Sequence, residues 1–400
     1  MQKKQVIILI KLYLSDLHIG NGNKKDDFKY DIELIKILEN LNTDSNNELY
    51  IVGDGFEILQ SYENDIKTND VRDIIKSFDF QYIFNEIEEK HQDLIDAFRK
   101  FAKRNTIHYI VGNHDYYLLL DEKMKNYFKN FLGENVEVHP YYYDENWELF
   151  IIHGNQFDPL NRLTLTKNGK ILPPYGELME KFISKYFDNE ILTVLPNEIL
   201  MDYDNIEPKM DIFLWLEEIR NKYSIRLDLE YKWIDMFVKF VRSKESKEWL
   251  KENYHFIHFL SYLFVNKIGG IKIGESIVRT INYFRGAKKT NYLLKNVKKI
   301  LYESRYIPKK YCVGYSDNDI IIPSKLQGII MGHIHIPSYE IFPNNIGETF
   351  YCNLGSWKHT VRKTSVKNKT KFLKRTQISY FIVKESNKSL NTQFIIKDMI

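Results

Sequence analysis

Five short apolar runs punctuate the chain: Val6 to Leu14, Leu49 to Val52, Ile107 to Val111, Leu149 to Ile152 and Ile329 to Met331. A continuous apolar run of this kind reads as a buried strand. Between the first three, Asp31 to Leu41 and Phe80 to Lys103 carry helical periodicity. Strands that alternate with helices predict an α/β architecture. Beyond the fifth run, Ser338 to Phe342, Thr349 to Asn353, Ile378 to Lys384 and Gln393 to Lys397 look like strands that close a second sheet.

The long gap between the fourth and fifth runs has a different pattern. Aromatic and aliphatic residues recur at helical intervals in Gly176 to Phe187, Met210 to Tyr223, Tyr231 to Val241, Lys247 to Val265 and Lys289 to Tyr302, with breaks at Pro173-Pro174 and Gly269-Gly270. We therefore expect a first part over 1–158, a helical insertion or cap over 159–325 and a second part of the same domain over 326–400. The aromatics of the insertion, Trp215, Trp233, Phe237, Phe240, Trp249, Tyr254, Phe256, Phe259, Tyr262 and Phe264, read first as the helices' own core. The alternative is a groove for acyl chains or nucleobases.

Composition narrows the class. A chain of 400 residues, 44% of them hydrophobic, can bury a large core and more than one structural unit. Cys312 and Cys352 form no Cys-x-x-Cys pair, so a reduced, cytoplasmic interior without disulfides is expected. Lys3-Lys4 before Val6 looks like the start of a short signal peptide, but the apolar run continues through Lys11 towards Asp16. Cleavage would remove the first strand, so we read the segment as structure. No window reaches the roughly 18 apolar residues that a membrane-spanning helix needs.

Candidate chemistry lies just past the five runs. There the chain reads Asp16-Leu17-His18, Gly53-Asp54-Gly55, Gly112-Asn113-His114-Asp115, His153-Gly154 and Gly332-His333-Ile334-His335. Five of the eleven histidines fall in these turns. Taken singly, an Asp-x-His or a Gly-Asp is common, and a lone histidine after a strand is more often structural. Side chains just beyond parallel strands converge at one sheet edge, however, so the five turns together describe one site. Carboxylates, imidazoles and an amide suit hard-to-borderline divalent metals, with Mn foremost and Fe or Zn as alternatives.

This ordered set resembles the signature of the calcineurin-like metallophosphoesterases: Asp-x-His, Gly-Asp, Gly-Asn-His, a His before Gly, and Gly-His-x-His. The resemblance implies a two-sheet sandwich flanked by helices, here with a large, mainly helical insertion, and two divalent metal ions. It puts Asp16, His18, Asp54 and His335 around one metal and Asp54, Asn113, His153 and His333 around the other, with Asp54 as the bridge. His114 is then free to protonate a leaving oxygen, with Asp115 available to fix its tautomer; the bland reading of Asp115 is a turn or helix cap. A phosphoester is shielded by negative oxygens, so its hydrolysis at neutral pH calls for charge neutralisation and an activated water, which a metal pair supplies.

Within that superfamily, Gly53-Asp54-Gly55-Phe56-Glu57 and Asn353-Leu354-Gly355-Ser356-Trp357 resemble segments of the UDP-2,3-diacylglucosamine pyrophosphatase-like branch. The expected activity is hydrolysis of a phosphodiester or pyrophosphate bond. His114 stands where that branch has an arginine, and the insertion is far longer than usual. A nuclease acting on DNA or RNA is the alternative enzyme, and a scaffold that binds a partner through the cap is the alternative of another class.

Charge bears on the partner. Residues 1–158 hold 18 Lys or Arg against 29 Asp or Glu, while residues 159–400 hold 39 against 25. Ten basic residues fall between Arg279 and Lys310, and a second basic cluster runs from Lys358 to Arg375. Such stretches read either as solvated faces or as an electropositive wall for an anionic phosphate-containing substrate, with peripheral contact to an anionic membrane as an extension of that reading.

Overall fold

Each of the five apolar runs supplies a strand, the first from Leu9 onward, since Val6 to Ile8 lie outside the described residues. In chain order the main strands are β1 Leu9–Leu14, β2 Glu48–Val52, β3 Thr106–Ile110, β4 Val136–His139, β5 Tyr142–Asp144, β6 Leu149–Ile151, β7 Gly328–Met331, β8 Ser338–Asn344, β9 Gly347–Asn353, β10 His359–Val366, β11 Lys369–Ser386 and β12 Ser389–Met399. The computed structural model describes residues 9–23, 25–42, 46–58, 68–191, 193–196, 199–200, 202–207, 211–254, 289–344, 347–367, 369–386 and 389–399. Outside the described residues lie Lys3-Lys4, the expected helix beyond Tyr254, Gly269-Gly270, the aromatics Phe256, Phe259, Tyr262 and Phe264, and the basic residues Arg279, Arg285 and Lys288.

Two large sheets result. The first has the order β10-β11-β1-β2-β3-β4, with β12 paired to β11, and its β1 to β4 are parallel. The second has the order β8-β9-β7-β6-β5, with β6, β7 and β9 parallel. Successive side chains on a strand face opposite sides, and both faces are covered, which explains why these runs are apolar apart from Lys11 and His108. In β2, Leu49 and Ile51 join the core that also holds Leu34 and Leu38 of the helix Asp31–Leu41, while Tyr50 and Val52 meet Leu149, Ile151, Ile330 and Cys352 of the other sheet. Lys11 enters that inter-sheet layer and is neutralised by Asp144 and by Glu48 at 2.9 Å, with its ammonium 4.5 Å from the Trp147 ring. Both cysteines are free and buried, Cys312 in the first core and Cys352 between the sheets. The chain is thus a mixed α/β protein with several sheets.

The helical periodicity of Phe80 to Lys103 resolves into two helices, Phe80–Lys90 and Gln92–Ala102, broken at His91 (φ −121°, ψ 35°). The His91 imidazole bonds Asp31 at 2.6 Å and Asp26 at 3.2 Å, and this distant pull sets the break. The segments Ile378 to Lys384 and Gln393 to Lys397 do not close the second sheet. They belong to β11 and β12 of the first sheet, where β11 pairs antiparallel with β1 in the register Tyr13↔Phe381.

The segment between β6 and β7 carries the helices Tyr175–Ile183, Ile212–Lys222, Leu229–Arg242, Lys244–Asn253 and Lys289–Lys299, together with two short hairpins. Trp215, Trp233, Phe237, Phe240 and Trp249 fill a core of their own, joined by Val361 from β10. The second basic cluster faces this segment. Lys363 pairs with Asp211 at 3.3 Å, Lys371 with Glu218 at 3.1 Å and Lys374 with Asp202 at 2.6 Å. Each such half-exposed pair contributes about 0–1 kcal/mol, so these lysines act as a seam rather than as an open anionic-ligand surface. Among the described residues no helix is long and apolar enough to cross a membrane.

Candidate metal centre

Parallel strands of one sheet end at one edge, so the turns after β1, β2 and β3 lie side by side, and those after β6 and β7 meet them from the second sheet. Backbone bonds fix the meeting. Asp16 N donates to Gly53 O (3.1 Å), His18 N to Asp54 O (2.9 Å) and Gly332 N to His153 O (3.0 Å). His333 N donates across the sheets to Asp16 Oδ2 at 2.9 Å.

Six of the seven expected ligands form two convergent groups, Asp16 with His18 and His335, and Asp54 with His153 and His333. In the first, His335 Nε2 lies 3.1 Å from Asp16 Oδ1 and 3.3 Å from His18 Nε2, and His18 Nε2 lies 3.9 Å from Asp16 Oδ1. Ligand atoms bonded to one ion at about 2.1 Å stand roughly 3.0–3.4 Å apart, so the two His335 spacings suit a shared cation, while the His18–Asp16 spacing is wider. In the second, His153 Nε2 lies 3.0 Å from Asp54 Oδ2 while its Nδ1–H donates to Val52 O at 2.8 Å. That bond leaves a lone pair on Nε2 facing a carboxylate oxygen.

Three atoms sharpen the fit. Asp16 Oδ1, Asn113 Oδ1 and His153 Nε2 are buried without a hydrogen-bond partner. An unsatisfied buried polar atom costs about 1–3 kcal/mol, and three lone-pair donors gathered at one edge fit divalent metal ions. Asn113, the seventh expected ligand, lines the same cavity as His18, Asp54, His333 and His335. Asp54 belongs to the second group, and its Oδ1 accepts from His114 N at 2.8 Å. Its charge still reaches Asp16 and His18 of the first group.

The backbone is strained where the ligands sit. Asp16, His18, Asp54, His333 and His335 all have left-handed φ, between 50° and 74°. Such residues cost on the order of 1–3 kcal/mol each and cluster at functional sites. The motif glycines have a steric reason: a Cβ on Gly112 would lie 2.2 Å from Asp54 Oδ1, and one on Gly53 would lie 2.2 Å from His153 Nδ1.

Electrostatics follow from this packing. Burial alone would raise the Asp16 carboxyl, but the imidazoles of His153 and His335 outweigh it and hold it at about 2. Burial likewise opposes ionisation of Asp54 and Glu57, and their histidine neighbours hold both well below the usual carboxylate range. Burial disfavours charge on His114, yet Glu57 and Asp54 raise it well above the ordinary imidazole value.

Glu57 is the residue that sequence reasoning left out of the site. One oxygen accepts from His18 Nδ1 and the other lies 2.9 Å from His114 Nδ1, so a single carboxylate orients both rings and turns each Nε2 away from itself. The orienting part expected of Asp115 is corrected accordingly. Asp115 accepts from Gly112 N at 2.6 Å, Gly55 N at 3.2 Å and Tyr109 Oη, which makes it a brace of the turn. Asp158, 3.2 Å from His333 Nε2, was also missed.

A cavity of about 200 Å³ opens over the centre. His18, Asp54, Asn113, His114, His333 and His335 form its floor, and the insertion supplies Glu177, Glu180, Asp204, Glu207, Ile212, Trp233 and Phe237. Lys358 is the one lysine or arginine in this lining among the described residues, 3.7 Å from Asp27 and 3.9 Å from Glu57. None of the described basic residues between Lys289 and Lys310 lines it. No known protein family matches the sequence, and no curated protein matches it either.

Proposed function

We propose that the chain is a metal-dependent hydrolase of phosphoric ester bonds, of the kind that the calcineurin-like metallophosphoesterases represent. More particularly, we propose that it cleaves a phosphodiester or pyrophosphate bond in a compact substrate. The observation that carries the reading is the convergence of six expected ligands, from four strand ends of two sheets, into two metal-sized groups with orphaned lone pairs. In this reading Asp16, His18 and His335 hold one divalent ion, and Asp54, His153, His333 and Asn113 hold the other. The ions, when bound, supply charge neutralisation and a water of lowered pKa. The chain's residues do the rest. Lys358 sets a fixed positive charge beside the phosphoryl group, and His114, held through Nδ1 by Glu57, presents Nε2 to the cavity and gives a proton to the departing oxygen.

The cavity wall bears on the substrate. Four carboxylates from the insertion face one lysine, which weighs against DNA or RNA, since every further nucleotide brings another phosphate. Ile212, Trp233 and Phe237 favour a substrate with an apolar part, and so support a nucleotide-lipid ester over a nucleic acid. A non-catalytic scaffold has no use for ligands held in costly left-handed backbone. The test is hydrolysis of bis(p-nitrophenyl) phosphate by Mn-loaded protein. Asp54→Asn and chelation should each abolish it, and a rate that survives both unchanged would exclude the two-metal reading.

A further inference from the structure

A second convergence of ligand atoms lies outside the cavity, on the outer strands of the first sheet. Glu137 and His139 stand two apart on β4, so both project from the same face. The register of the parallel pair β3–β4 sets His108 opposite Glu137 and Ile110 opposite His139, which brings His108 to that face beside them. His108 Nδ1 lies 3.2 Å from His139 Nε2 and 3.3 Å from Glu137 Oε2, and His139 Nε2 lies 3.2 Å from Glu137 Oε2. None of the three residues lines the cavity over the main centre.

Hydrogen bonding cannot make all three sides of this triangle favourable. Each neutral imidazole carries one N–H, so at most two sides can be bonds, and the third sets two lone pairs or two N–H groups face to face. A cation resolves all three sides at once. An ion bonded at about 2.1 Å to three atoms roughly 3.2 Å apart sits about 1 Å above their plane with ligand–metal–ligand angles near 100°, between the octahedral and tetrahedral values. Two imidazoles and one carboxylate on a face are a donor set for Zn and its neighbours in the first transition row.

Burial lowers both imidazoles from their ordinary value, His108 to about 4, so each is neutral at pH 7 and keeps a lone pair for a ligand bond. Glu137, Glu48 and Asp144 are the carboxylates in reach, against Lys11 and Lys129, and Lys11 is already held by Glu48 and Asp144. Tyr142 packs against both imidazoles, with ring centroids 4.8 Å from His108 and 5.0 Å from His139, and Tyr50 stacks on His108 at 4.6 Å. These contacts fix the rings, while Glu137 is exposed and leaves the face open to an entering ion. We propose that His108, Glu137 and His139 form a third divalent transition-metal site, which clips the edge strand β4 to β3.

The test counts metal directly. Full-length protein is stripped with a chelator and dialysed against micromolar free Zn2+, and bound zinc per chain is measured by mass spectrometry for the wild type, His139→Gln and Glu137→Gln. Each variant should bind one ion per chain fewer than the wild type, whatever load the main centre carries. Zinc should also raise the wild-type thermal midpoint more than that of either variant. Equal zinc counts in wild type and variants overturn the proposal. Glu137 is exposed, so Glu137→Gln decides the matter should His139→Gln fail to fold.

Discussion

Replacing Glu57 with glutamine separates a metal centre from a fortuitous cluster of histidines. The carboxylate accepts from His18 Nδ1 and His114 Nδ1 together. An amide keeps one oxygen, so it can accept from one ring only, and its NH2 meets the other ring as donor against donor. One charge-assisted bond is lost, worth about 1.5–3 kcal/mol, which corresponds to roughly 10- to 150-fold in an equilibrium constant. That range overlaps the 10- to 100-fold loss in metal affinity or activity typical when a partner that orients a metal-bound imidazole is removed. The assay is a Mn2+ titration of bis(p-nitrophenyl) phosphate hydrolysis, alongside the melting temperature of the metal-free protein. The concentration for half-maximal activation should rise about 10- to 100-fold in Glu57→Gln. If both this concentration and the saturated rate stay within about twofold of wild type, Glu57 does not orient a metal ligand, and the role assigned to it here is wrong.

Two further outcomes are expected. Lys358→Met should lower kcat/KM by about 10- to 100-fold, the loss of one charge-assisted contact to a phosphoryl oxygen, with the metal-activation midpoint unchanged; an unchanged kcat/KM would remove Lys358 from the substrate site. His91 is held at about 9 because Asp26 and Asp31 outweigh the effect of burial. Its folded value lies above the unfolded value of about 6.5, so its stabilisation, on the order of 3 kcal/mol, is complete below pH 6.5 and is lost as the pH rises through 9. Denaturant unfolding of wild type and His91→Gln should therefore differ most at pH 6 and converge above pH 9, and a gap that widens with pH would contradict this account.

The parallel strands and the turns after them were legible because a strand buried on both faces must be apolar throughout, and because each run stops at a polar turn. That legibility ended where distant partners decide. The helical rhythm of Phe80 to Lys103 runs unbroken through His91, and only Asp26 and Asp31, some sixty residues earlier, reveal the break. β11 carries Lys371, Lys374 and Arg375 and reads as a charge run, although β1, β10 and β12 make it a strand. Asp115 seemed the natural partner of its neighbour His114, yet adjacency in a turn does not make side chains meet. Glu57 could be placed only once β2 and β3 stood side by side. The acid lining of the cavity was hidden as well, since among the described lysines and arginines of residues 159–400 only Lys358 lines it.

The placement of the fifth turn has a consequence for biosynthesis. Asp16, His18, Asp54, Asn113 and His153 all precede residue 155, whereas His333 and His335 follow the insertion. At ribosomal rates of about 5–20 residues per second, the nearly 180 residues from His153 to Gly332 take on the order of 9–36 s to emerge. For that interval β6 has no β7 beside it, and β1 lacks β11 on its outer side. The nascent chain thus holds an incomplete set of ligands on an unfinished pair of sheets. On the proposed two-metal reading, secure loading would be a late step, reached only after the insertion has been made.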